Sequence, residues 1–159
     1  MTKINKTNAM RALDVAGINY TVSTYEVDEE DLSGVHAAEC LGVSPEVVFK
    51  TIVARADVRE FRVFCIPVAE ELDLKKCATV SGDKRLELLH VKELLPTTGY
   101  IRGGCSPIGM KKKFPTYIDE TAQLFDEIYV SAGVRGTQIV INPNDLLSFL
   151  QSEYADLVK

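Results

Sequence analysis

Histidine is scarce in this chain, long apolar runs are missing, and both facts exclude whole classes of function. The 159 residues hold two histidines, His36 and His90, and four cysteines, Cys40, Cys65, Cys77 and Cys105. No cysteines form a CxxC pair and neither histidine has ligand-like spacing, so no metal site is expected and no cofactor is implied. Two histidines leave little room for a Ser-His-Asp relay. There is no GxSxG elbow, Walker loop or HExxH helix. No apolar run approaches the roughly 20 residues of a membrane helix. The segment Met1 to Met10 is polar and lacks the apolar stretch of a secretory signal. A cytoplasmic location away from membranes is expected, with free and mostly buried thiols in a reducing compartment. Basic residues are not in excess either: Lys+Arg is 18 against 23 Asp+Glu, a net charge of −5. That balance argues against nonspecific binding of duplex DNA, which needs many phosphate contacts, but leaves room for a local basic face.

What is present is an ordinary globular composition, 46% apolar and 26% charged. The chain can bury enough apolar surface to offset its ordering entropy, and its length suits one domain spanning residues 1–159. Thr7 to Ala16 reads as a helix stopped by Gly17, with Ala9, Met10, Leu13 and Ala16 on one face. Ile18 to Val27 reads as a strand, Asp28 to Ser33 as an acidic loop, and Gly34 to Gly42 as a short helix ended by glycine. Val47 to Arg55 and Glu60 to Val68 read as a hairpin about Ala56 to Arg59. Asp73 is placed to cap a helix running to Val80. Arg85 to Leu89 reads as a strand, and Lys92 to Leu95 as a short helix stopped by Pro96. Thr116 to Asp119, Ile128 to Ser131 and Gln138 to Ile141 read as strands. Asn142-Pro143 then opens a last helix to about Gln151. Strands and helices are interspersed without regular βαβ alternation. The expected class is α+β, a mixed, curved sheet with helices around it.

Three segments stand out from core and surface. In Phe49-Lys50-Thr51, Lys50 interrupts an apolar run. It is either a lysine on the solvated face of a half-buried strand or a point charge aimed into a pocket, suited to a carbonyl oxygen or a phosphate. Strand alternation sends Thr51 to the opposite face, so a shared site requires a bulge or the Thr51 backbone. The second segment, Thr98 to Gly109, contains four glycines and a proline. Its pair Gly103-Gly104 lets backbone approach a ligand, and the N–H groups there can form an anion nest; a plain surface turn is the alternative. This loop runs into Lys111-Lys112-Lys113, the densest basic patch in an acidic chain. The third segment, Val130 to Gly136, reads as a hairpin turn with Ser131 and Arg135 at its ends. Cys105 has no evident partner base. Any catalysis must therefore rest on positioning, backbone donors and one lysine.

These segments, together with Leu72-Asp73-Leu74-Lys75-Lys76, resemble the YbaK/EbsC family in the same order, from about Lys6 to Leu157. The family comprises free-standing relatives of the editing domain inserted in bacterial prolyl-tRNA synthetases. The resemblance implies a barrel-like mixed sheet surrounded by helices and an aminoacyl-tRNA deacylase. The substrate it implies is Cys-tRNA(Pro), with Cys-tRNA(Cys) or an alanyl-tRNA as alternatives. It makes Lys50 the main functional residue, with Gly103 and Gly104 as backbone donors and Tyr25, Thr51, Ser131 and Gln138 around the substrate. Two positions depart: Ser33 stands where relatives carry phenylalanine, and Gln138 where they carry aspartate. Both bear on amino-acid specificity.

The resemblance also implies substrate-assisted cleavage, in which the cysteinyl thiol attacks its own ester. The implied partners are the 3′ end of aminoacyl-tRNA and prolyl-tRNA synthetase. Two further readings remain open, a tRNA- or synthetase-binding module without catalysis and a small-molecule binding protein.

Overall fold

The computed structural model describes residues 5–159; the first four residues of the polar N-terminal segment lie outside it. Helix α1 (Asn8–Ala16) begins where the Thr7 hydroxyl accepts from the Met10 N–H, and it ends at Gly17. Strand β1 (Thr21–Thr24) and helix α2 (Gly34–Leu41) follow, the latter capped by the Ser33 hydroxyl. Strands β2 (Phe49–Asp57) and β3 (Glu60–Pro67) form the expected hairpin. Helix α3 (Leu74–Ser81) is capped by Asp73, whose carboxylate accepts from the N–H groups of Lys75 and Lys76. Next come β4 (Glu87–Leu88), α4 (Val91–Thr98) and β5 (Thr116–Asp119), then β6 (Ile128–Ser131) and β7 (Thr137–Ile141). Helix α5 (Pro143–Leu150), capped by Asn142, and β8 (Glu153–Ala155) complete the order.

The class is α+β, as read, and its strands divide into two sheets. One has the order β1-β7-β6, and the other β4-β2-β3-β5-β8. The second is mixed, because β5 runs parallel to both β3 and β8. A bridge from Val48 to Tyr129 joins the two, with the Tyr129 N–H donating to the Val47 carbonyl at 2.8 Å.

β3 explains its own apolar run. Phe64 and Ile66 pack with Cys77, Leu86 and Leu157, whereas Cys65 packs with Met10, Leu13, Ile118 and Ile139. A strand covered on both faces needs no polar alternation. β2 follows the same geometry: Phe49 belongs to the cluster of Cys65, while Ile52 and Ala54 belong to that of Phe64.

Three local readings are corrected. The strand read over Ile18 to Val27 shrinks to Thr21–Thr24, because its pairing with β7 ends at Thr24–Thr137. The hairpin turn sits later than Ala56 to Arg59, because a register shift between Arg55 and Asp57 carries β2 to Asp57. Pro96 does not stop α4, which continues to Thr98 and ends at Gly99 in the left-handed conformation. Among the described residues, no helix is long and apolar enough to cross a membrane.

Candidate active site

The site begins at a free strand edge. On one side β2 pairs with β3 along its length; on the other, β4 covers only Ala54 and Arg55. Lys50 and Thr51 therefore sit on an edge that no strand closes. The register there is regular, with Lys50 opposite Ile66 and Thr51 opposite Cys65. No bulge brings Lys50 and Thr51 together, so of the two routes read from alternation the bulge is excluded. They alternate along a regular strand, and both line one pocket at its open edge. The Thr51 hydroxyl stands 3.9 Å from the Cys65 sulfur.

This pocket, about 290 Å³, is also lined by Tyr25, Gly103, Ser131 and Gln138. Helix α2 forms its roof through Gly34 and Ala37. Gly34 fits where another residue would not, since a Cβ there would meet Val68 Cγ1 at 2.2 Å. Tyr25 is fixed from the main chain, its N–H donating to the Gly136 carbonyl at 2.9 Å, and burial pushes its phenol above the ordinary value. Ser131 and Gln138 are neighbours across the β6–β7 pair. The Ser131 hydroxyl oxygen accepts from the Gly133 N–H at 3.1 Å, which leaves its proton free to donate.

Gln138 is 6% exposed, and its Oε1 is buried with no hydrogen-bond partner. A buried carbonyl left unpaired is costly, and such an atom in a pocket wall is an acceptor awaiting a donor.

The two glycines separate. Gly103 lines the pocket with φ +84°, in the region glycine favours, and no main-chain group takes its N–H among the described residues. Gly104 does not line the pocket, and its N–H donates to the Ile101 carbonyl at 3.0 Å. Gly104 is therefore corrected from backbone donor to turn former. Its tight packing on the 134–135 backbone, 3.2 Å from a would-be Cβ to Arg135 N, explains the second glycine. Arg135 clamps the two loops, its Nε donating to the Arg102 carbonyl at 2.9 Å. Tyr100 braces the same loop by donating its hydroxyl to the Ile108 carbonyl.

Charge in the pocket is one-sided. Lys50 and Arg102 line it, and among the described residues no carboxylate or imidazole does. Burial pushes the Lys50 ammonium below the usual lysine value, while Glu71 and Glu70 partly hold it up. Cys105 lines the pocket too, but burial pushes its thiol up to about 12, which leaves it unreactive as a nucleophile near neutrality. The pocket can thus hold an anionic or carbonyl oxygen at Lys50 and offer hydroxyls and one N–H, yet it supplies no side-chain base.

The family model of the aminoacyl-tRNA editing domain matches residues 30–149. The chain belongs to the aminoacyl-tRNA editing domain family. Every pocket residue named above except Tyr25 falls within the editing-domain match. A curated relative in Enterococcus faecalis, EbsC, is 47% identical over 152 residues, covering 96% of this chain and 93% of its own. EbsC carries the provisional name of a Cys-tRNA(Pro)/Cys-tRNA(Cys) deacylase. Among solved structures, a protein described as a trans-editing enzyme for prolyl tRNA synthetase superposes with a TM-score of 0.83 at 23% identity, covering 96% of this chain and 95% of that one. The hypothetical protein APE2540 superposes with a TM-score of 0.87 at 18% identity, covering 96% and 100%. These two likenesses establish the editing-domain fold.

Sequence reasoning did not assign Arg102 or Leu32 to this editing-domain pocket, although both line it. Arg102 had a visible signal, a cation immediately before paired glycines. Leu32 had none, lying in a stretch read only as an acidic loop.

Proposed function

We propose that the protein is a free-standing aminoacyl-tRNA deacylase, its 159 residues acting as one editing domain in the cytoplasm, with cysteine mischarged on the proline tRNA as its main substrate. One observation carries this reading: a half-buried lysine stands at a pocket whose walls hold no carboxylate, no imidazole and only an unreactive thiol. Such a pocket can position an ester and stabilise charge, but it must take its nucleophile from the substrate. The identity to EbsC supports cysteine as the cargo and Cys-tRNA(Cys) as a second substrate.

The step balances within the substrate. The cysteinyl sulfur, as thiolate, forms a bond to its own ester carbonyl carbon, and the bond from that carbon to the ribose oxygen breaks. The ribose oxygen leaves with the electron pair and ends with the proton the thiol gave up. The products are a free tRNA 3′ end and a four-membered cyclic thioester, which water then opens. Lys50 holds the terminal phosphate or ribose oxygen as a point charge. The Gly103 N–H faces the oxyanion, and losing such a donor costs about 3 kcal/mol in the transition state. Thr51, Tyr25 and Ser131 supply hydroxyls around the aminoacyl group. Gln138 Oε1 accepts from its α-ammonium, a neutral acceptor in a pocket without acids.

The test is a panel of tRNAs mischarged with cysteine, alanine or serine, incubated with purified protein. Cysteine is released fastest, and Lys50→Ala lowers its release by about a hundredfold or more. Full activity in that variant rejects the role. Serine is released slowly, because an alcohol is a weaker nucleophile than a thiolate; equal turnover of serine and cysteine points to water as the attacking group instead. Prolyl-tRNA synthetase is read as the partner that supplies tRNA selection, since a pocket of this size reads only the charged end.

A further inference from the structure

The open edge of β2 borders two concavities. Beyond the pocket, Lys50, Thr51 and Arg102 also line a second, larger groove of about 790 Å³. Ile52 and Val53 of β2 line it, as do Leu88 of β4, Val91 and Leu94 of α4, and Leu89 between the two. That lining is unusually apolar for a surface. Leu88 is 54% exposed and Val91 62%, and on the same side Leu95, one turn along α4, is 51% exposed. Apolar side chains so exposed beside a binding site mark a contact surface. The charged groups lining the groove are Lys50, Arg102, Lys159 and Glu71, and Glu71 is engaged by Lys159 at 3.2 Å. Cations outnumber acids here in a chain of net charge −5.

We propose that this groove seats the unpaired nucleotides immediately 5′ of the terminal adenosine, an inference that rests on the deacylase reading. The pocket, about 290 Å³, lies at the small end for a ligand site, a size for the charged terminus rather than for the strand that leads to it. The strand leading to that terminus must leave through the pocket mouth, and the groove is continuous with the mouth through three shared residues. Single strands are held by a charged groove that tracks the backbone and by apolar contact with base faces; this groove offers the cations and aliphatic rather than aromatic side chains for the bases. The competing surface is the Lys111–Lys113 patch. It borders a separate concavity with Phe114 and Phe149 that shares no lining residue with the pocket.

Two measurements on the full chain decide the matter. The first is binding of a 5′-fluorescein CCA trinucleotide, which needs no turnover. The Leu88→Glu/Val91→Glu double variant weakens it about tenfold or more, because it replaces apolar contact by two charges that repel the phosphates. The milder Leu88→Ala/Val91→Ala pair weakens it in the same direction, and Lys111→Ala/Lys112→Ala/Lys113→Ala leaves it unchanged. The second compares KM for cysteinyl-tRNA with turnover of cysteinyl-adenosine ester. The glutamate variant raises the former about tenfold and leaves the latter as in the wild type, which also shows that the fold and pocket are intact. Unchanged trinucleotide binding in both Leu88/Val91 variants, equal loss on both substrates, or weakening only in the lysine variant each overturns the groove assignment. A wild type that binds the trinucleotide yet hydrolyses neither ester leaves the groove standing and rejects the deacylase reading instead.

Discussion

Lys50 and Gln138 are each held in a state that costs the folded protein something, and the costs differ in kind. The ammonium of Lys50 is partly stripped of water, so its charged form is disfavoured and its pKa falls; the Coulombic pull of Glu71 and Glu70 opposes that fall. Activity that needs the ammonium is full at low pH and is lost as pH rises through this lowered value. The alkaline limb of kcat/KM therefore lies below the ordinary lysine value of about 10.4. Glu70→Gln/Glu71→Gln removes the groups that raise the pKa and moves the limb to still lower pH; a limb moving upward, or staying fixed, contradicts the assignment. The acidic limb follows the substrate thiol, which must ionise, and does not respond to these substitutions. Gln138 bears a different cost, that of a buried carbonyl oxygen without a donor. Gln138→Leu relieves it and raises the unfolding free energy by about 1 kcal/mol, while KM for the charged substrate rises because the α-ammonium has lost its acceptor. Stability and binding moving in opposite directions is the signature of a functional residue. Joint loss identifies a merely structural one.

Helix α2 is the element whose placement makes the pocket. Its first residue, Gly34, lies against Val68 so closely that no Cβ fits, and its cap Ser33 and its Ala37 line the same cavity. Gly34→Ala pushes the helix start away from Val68, just past the end of β3, costing about 1–3 kcal/mol by overpacking, and raises KM more than it lowers kcat. Thermal unfolding and steady-state kinetics on this one variant check both effects; an unchanged Tm contradicts the contact. Elements of this kind divide in how far the sequence disclosed them. The caps at Asp73 and Asn142 were legible because a side-chain oxygen two or three residues before an apolar face is a local signal, whereas Thr7, read as the first helical residue, is the cap of α1. Pro96 misled because α4 runs on through it to Thr98; the bond it deletes is the one to the carbonyl of Lys92, an exposed residue. β8 gave no signal: three half-exposed residues become a strand only through parallel pairing with β5. The site divides the same way. Lys50 and the paired glycines were visible as local anomalies. The loss of Gly104 as a donor, the orphaned oxygen of Gln138 and the groove along α4 depend on which strands meet and where an edge is left open.

At the scale of the whole molecule, the charge that can meet RNA is small and local. The chain is acidic overall, and the cations that border the pocket and its groove are Lys50, Arg102 and Lys159. A single strand releases about 0.7 counterion for each phosphate neutralised, so log K for the charged tRNA falls against log salt with a slope of about −2. A protein with so few phosphate contacts cannot gather a tRNA by electrostatics alone, nor distinguish one tRNA body from another. Selection must come from elsewhere, and an enzyme already holding the proline tRNA would supply it by raising the local concentration of the charged end. Adding prolyl-tRNA synthetase therefore lowers KM for cysteinyl-tRNA(Pro) and leaves kcat and the hydrolysis of cysteinyl-adenosine unchanged, because the pocket is the same. If the protein alone shows a slope of about −6 or steeper, many phosphates are contacted across the tRNA body. A second basic surface such as Lys111–Lys113 would then be engaged, and the synthetase would be unnecessary for capture.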